Sequence, residues 1–241
     1  MIEISSSAFD ILWDDRGGAP LPPPLSVPSV GATEGERAEI RSRVYDNLAG
    51  RGLFNGRLDP VLAERLETLA AADVYVECEG LVDGVLLRAV AAAGGKRGVL
   101  AAQPSRTIGL SPIRPTEVFG AVVDLLDWAP GPGYGVTLPA AVLRDDLRDP
   151  VFGDAAGSAA YERQIREVLA IEARPVLAAG HFSVRVRRGG RMQRAGGVSW
   201  FRTDVGSYFG AVAPGRGGQD WATVAPADSA RVVARLAEFA A

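Results

Sequence analysis

His181-Phe-Ser-Val-Arg-Val-Arg-Arg188, Gly197-Val-Ser-Trp-Phe-Arg-Thr203, Ser207-Tyr-Phe-Gly-Ala-Val-Ala213 and Asp220-Trp-Ala-Thr-Val-Ala225 follow one another in the last third of the chain. Each alternates apolar with polar or small residues, the period of a strand covered on one face. Gly189-Gly190, Val205-Gly206 and Pro214-Gly-Arg-Gly-Gly218 separate them, and residues of these types turn an antiparallel chain back on itself. After Pro226, the segment from Asp228 to Phe239 places Val232, Val233, Leu236 and Phe239 on one helical face. The pattern predicts a four-stranded meander covered by one helix.

Upstream, Ser7 is the expected cap of a short helix containing Phe9, Leu12 and Trp13, which ends at Gly17-Gly18. Leu21-Pro-Pro-Pro-Leu-Ser-Val-Pro28 must be extended, because each proline fixes its own φ and disfavours helix in the residue before it. Thr33 and Glu36 have the spacing of a capping box for a helix running to Gly50. Asp59-Pro60 opens another, which carries Leu62, Leu66 and Leu69. Strand signals occupy 73–79, 85–92, 99–103 and 107–110; Thr116 then caps a helix containing Val118, Phe119, Val122, Leu125 and Leu126.

Helix, strands, Pro and helix therefore occur twice, at about 59–127 and 156–239, joined through 128–155 with a short helix near 138–147. The expectation is a single α+β domain, 1–241. Its central, mostly antiparallel sheet is built from two pseudo-twofold-related repeats and flanked by helical bundles.

The chemistry offered by the side chains is sparse. His181 is the only histidine, Cys78 the only cysteine, and no Gly-x-Ser-x-Gly elbow occurs. One thiol excludes an intramolecular disulfide and a thiolate zinc cluster. Asp14-Asp15 and Asp145-Asp146 with Asp149 lack the alternate-residue spacing of a calcium loop. Gly215-Arg-Gly-Gly218 lies between strands, which is a hairpin context and not a phosphate cradle. The reading is a protein without catalytic residues, cofactor or metal. Arg185, Arg187, Arg188, Arg191, Arg194 and Arg202 crowd one hairpin, but the net charge is −3 and no aromatic residues interleave as base-stacking platforms would. Edge protection or a protein partner fits them better than nucleic acid. No apolar run reaches the ~18 residues of a membrane span. The N-terminal Met-Ile-Glu-Ile has neither the basic nor the apolar region of a signal peptide, so a cytoplasmic protein is expected.

Phe9-Asp-Ile-Leu-Trp13 leading into Leu21-Pro-Pro-Pro-Leu25, Val198-Ser-Trp-Phe-Arg-Thr-Asp-Val-Gly-Ser-Tyr208, and Trp221-Ala-Thr-Val-Ala-Pro-Ala-Asp228 before a final helix resemble the EspG proteins of type VII (ESX) secretion. Gly206-Ser-Tyr208 departs from the Gly-Arg-Tyr-like turn of many relatives. The resemblance implies a cytosolic chaperone, without cofactor, that holds a PE/PPE-like helical protein or heterodimer by its tip until export. Neither nucleic-acid binding nor membrane insertion is implied; homodimerisation is compatible with it. No motif marks contact residues, so these are read from strand alternation: Tyr75, Glu77, Glu79 and Arg88 in the first repeat, with Arg185, Arg187, Trp200 and Arg202 in the second. They are expected on one face, which with the C-terminal helix would receive the client.

Overall fold

The structure, a computed structural model, describes residues 1–17, 20–142, 161–215 and 218–241. The first part of the chain supplies β1 (Ile2–Ser5), α1 (Ser6–Asp14), α2 (Glu34–Gly50) and α3 (Pro60–Ala71). Then come β2 (Val74–Val82), β3 (Val85–Gly94), β4 (Arg97–Gln103), β5 (Thr107–Pro112) and α4 (Val118–Val123). The second part supplies β6 (Val136–Pro139), α5 (Glu162–Glu172), β7 (Val176–Arg188), β8 (Arg191–Thr203), β9 (Gly206–Pro214), β10 (Asp220–Pro226) and α6 (Ser229–Ala240).

All ten strands form one antiparallel sheet in the order β1-β5-β4-β3-β2-β7-β8-β9-β10-β6. Outward from the β2–β7 seam, the two sides present their strands in matching sequence. The registers match as well. Glu77, Val90, Ala101, Leu110 and Ile2 form one row across β2, β3, β4, β5 and β1. His181, Ser199, Gly210, Val224 and Val136 form the corresponding row across β7, β8, β9, β10 and β6.

Alternation gives the sheet a front and a back. On the front, Tyr75, Val90, Ala92, Val99, Ala101, Ile108 and Leu110 pack with residues of α1, α2 and α3. On the back, Val76, Cys78, Ala89, Ala91, Phe182, Val184, Val198 and Trp200 pack under α4 and α6. Cys78 faces Phe182 across the seam and is fully buried, and burial pushes its thiol up to about 12. The back face is joined at one point by missing side chains: Gly80 and Gly180 are partners across the seam, and the Trp200 ring lies over both. A Cβ on either would come within 2.6 or 2.7 Å of that ring, so only glycine admits it. Phe182, Trp128 and Trp200 form an aromatic cluster with centroids 6.1 to 6.3 Å apart.

Local capping follows the sequence with adjustments. Ser5, not Ser7, caps α1 by accepting from the Ala8 amide. Thr33 accepts from the Glu36 amide, but Glu36 reaches back to Ala32 N and not to the cap residue. Thr116 caps nothing: a 3₁₀ turn, Pro115–Glu117, precedes α4, and Glu117 accepts from the Arg114 amide. Arg37 ties α2 to α1 and to the chain between them, donating to Asp10, Asp14, Ser29 and Val30 O. Buried Gln103 holds the proline segment as a neighbouring strand would, accepting from Ser26 N and donating to Ser26 O.

Two edge strands were not foreseen. β1 lies ahead of the first expected repeat, and β6 takes the first two positions of the helix expected at 138–147; residues 140–142 are helical, and 143–147 fall outside the described residues. So does the beginning of the helix expected from 156. β7 and β8 run further than the alternation suggested, because their extra residues continue the ladder around irregularities at Leu177 and Ala195.

Trp200→Ala would leave its slot over Gly80 and Gly180 empty. The expected cost is about 3–5 kcal/mol, since truncating a buried aromatic leaves a cavity beside rigid backbone. Denaturant unfolding of the two proteins measures it.

Candidate functional site

α3 crosses the front of β3, β4 and β5, burying Leu62, Leu66 and Leu69 against Val90, Ala101 and Leu110. α5 does not repeat this. Its Ile165 and Val168 pack on Val136, Leu138 and Val224, at the β6 edge. The front of β8 and β9 is therefore an open trough of about 770 Å³, lined by His181, Arg194, Gly197, Ser199, Gly210 and Val212, with Ala222 and Val224 beyond. Residue choice matches the exposure. Buried Val90 and Ala101 correspond to Ser199, which is exposed, and Gly210; Val212 is 57% exposed. A Cβ built on Gly210 meets only Thr223 O, at 4.0 Å, so this glycine keeps space open and does not relieve a clash.

Next to the trough, toward the seam, is a band of charge. Glu79 pairs with Arg88 at 3.1 Å and Glu77 with Arg185 at 3.3 Å. Glu79 is also the cross-strand neighbour of exposed His181. Arg187 meets Asp73 and donates to Ala72 O. Beyond the band, Leu81 and Leu86 are partners across β2 and β3 and remain 53% and 41% exposed. An exposed apolar pair rimmed by charge has the composition of a partner site.

Of the contact residues expected from alternation, six reach this face: Tyr75, Glu77, Glu79, Arg88, Arg185 and Arg187. Tyr75 is buried, its hydroxyl donating to Leu69 O. Trp200 and Arg202 are on the back. Trp200 is 3% exposed in the core, and Arg202 closes on Asp83 at 2.7 Å. The expected union of this face with the C-terminal helix is corrected too. α6 covers the back, where Val232 and Leu236 are buried and a Cβ on Gly196 would strike the Phe239 ring. Parity holds within a strand, but the register that relates strands is invisible to it. The trough itself was missed, although Gly197 and Gly210 inside strands are a recognised mark of close approach by another group.

Arg185, Arg187 and Arg202 bind carboxylates, and Arg188 donates to Ala241 O. Arg194 has no hydrogen-bond or ion-pair partner among the described residues; its guanidinium would lie 3.3 Å from a Cβ on Gly197. Among those residues, no group of three or more His, Cys, Asp or Glu could hold a metal ion, and no helix is long and apolar enough to cross a membrane.

A sequence model of the EspG family matches residues 5–238. The chain belongs to the EspG family. No curated protein sequence matches it. Among solved structures, the Mycobacterium tuberculosis type VII secretion system chaperone EspG5, in complex with a PE25–PPE41 dimer, is similar at a TM-score of 0.75 and 14% identity. The match covers 98% of this chain and 94% of that one, and shows a shared fold.

Burial raises the Glu77 carboxyl above its usual range, and the Arg185 hydrogen bond only partly opposes it. The folded state then holds this proton more tightly than the unfolded chain, so stability falls as pH rises through the folded pKa. Glu77→Gln removes that loss. Its melting temperature relative to the parent should climb as pH rises above the ordinary carboxyl value of 4.5, as thermal scans across pH would show.

Proposed function

We propose that this chain is a cytoplasmic chaperone of type VII secretion, without catalytic activity, that binds a PE/PPE-type heterodimer and keeps it soluble for export. The family match along nearly the whole chain carries the reading. The fold shared with EspG5, whose structure was solved on a PE25–PPE41 dimer, supports it. We place the client on the front face, over the trough, the Glu79–Arg88 and Glu77–Arg185 pairs and exposed Leu81 and Leu86. Residues 1–241 serve it as one domain, the repeats supplying a rigid sheet and one of them leaving its front open.

A sheet face suits this task. Its backbone is already ordered, so binding costs little further chain entropy, and its open groups supply both apolar area and polar registration. The carboxylates bound to Arg185, Arg187 and Arg202 neutralise much of the basic hairpin, which argues against a phosphate-binding surface.

Co-expression with PE/PPE-type pairs from the same organism tests the function. One pair should remain soluble and co-elute only when this chain is present; pairs that are all soluble alone and never co-elute would overturn it. Gly210→Leu tests the location. Its side chain enters open space, so the melting temperature should be unchanged while affinity for the pair falls by roughly tenfold or more, as expected when a bulky group occupies the contact.

A further inference from the structure

We infer that the trough over β8 and β9 is a seat for one helix of the partner, standing where α3 stands in the first half, and that Arg194 receives an acidic side chain from that helix. The inference rests on the proposed chaperone function and says what the front face recognises.

The shape argument is internal to the molecule. The two rows of strand partners correspond position by position, so the backbone beneath α3 is repeated beneath the trough. In the first half that backbone carries a helix, with Val90, Ala101 and Leu110 fully buried under it. In the second half it carries Ser199 and Gly210, and α5 packs on Val136, Leu138 and Val224, nearer the edge, instead. A surface already curved and spaced for a helix is thus left without one among the described residues. The smaller floor lets a helix approach closely without demanding that it be apolar all round.

Charge then selects the occupant. Arg88 and Arg185 already have carboxylates, those of Glu79 and Glu77. Arg194 lines the trough and lies against the glycine floor; Glu77, whose carboxyl its charge favours in the ionised form, is held by Arg185 at 3.3 Å. The trough therefore offers a guanidinium fork without an ion-pair partner to whatever enters, and a carboxylate satisfies it best. The first half contains the same kind of link in closed form: Glu64 and Glu67 of α3 reach Arg97 at the start of β4, at 3.8 and 3.5 Å. A partner helix with one Glu or Asp facing the sheet, flanked by small or apolar residues, would complete the second half as α3 completes the first.

The probe is the PE/PPE-type pair that co-elutes with the chain. Arg194→Gln should weaken its binding by roughly ten- to a hundredfold, the range for losing a hydrogen bond to a charged group, and Arg194→Glu further. Arg194→Lys should recover part of the affinity, and changing one Asp or Glu of the partner to Lys should restore binding to Arg194→Glu. Circular dichroism melts of these exposed-site variants should match the parent. Binding that is indifferent to Arg194→Glu but lost in Gly210→Leu would overturn the acid contact while leaving the client on this face. Indifference to both would remove the client from the trough. A dimer of the chain alone that Gly210→Leu disrupts would put a second copy in the seat and overturn the assignment. Absence of any co-eluting pair defeats the chaperone reading itself.

Discussion

The antiparallel ladder between β2 and β7 sets everything else in place. Its two strands run from Val74 opposite Val186 to Val82 opposite Ala178, and every other strand is added outward from them. Because the seam is central, its residues must satisfy helices on the back and either cover or solvent on the front. Gly80 and Gly180 show how narrowly this is met: the Trp200 ring crosses the seam where neither strand has a side chain. A central ladder between strands about a hundred residues apart in the chain closes a long loop and is slow to form.

Matching ladders with unlike covers divide the labour between the two parts of the chain. In the first, α1, α2 and α3 close the front, and the Arg37 cluster and Gln103 fasten the chain that connects them. In the second, the same backbone is floored with Ser199 and Gly210 and left accessible. Leaving apolar area uncovered gives up stabilisation of about 25 cal/mol per Å². The closed half and the shared back face, under α4 and α6, supply the stability that the open half forgoes.

Much of this was legible in the amino-acid order. Alternation identifies β2 and β7 to β10 because each has one face buried in a continuous core, and Asp59-Pro60 and Pro226 with Asp228 mark helix starts by chemistry that needs no tertiary context. β1 and β6 escape because four residues cannot display a period, and because their strand character comes from pairing with β5 and β10. Trp200 and Arg202 were set on the wrong face for a related reason. Each strand reveals its own two sides, but only the ladder tells which side of β8 continues which side of β2. The family resemblance could be read from Trp221 to Asp228 without that knowledge; the trough could not, since it arises from where α5 fails to sit.

Cys78 turns the seam into its own reporter. The single thiol is sealed on the back of the β2–β7 ladder, opposite Phe182 and beneath α4 and α6, and is held unreactive. Alkylating reagents can reach it only when the sheet splits at the seam or its back cover lifts, so the pace of its modification records how often that central region opens. A client gripping both sides of that line would slow the clock without touching the sulfur.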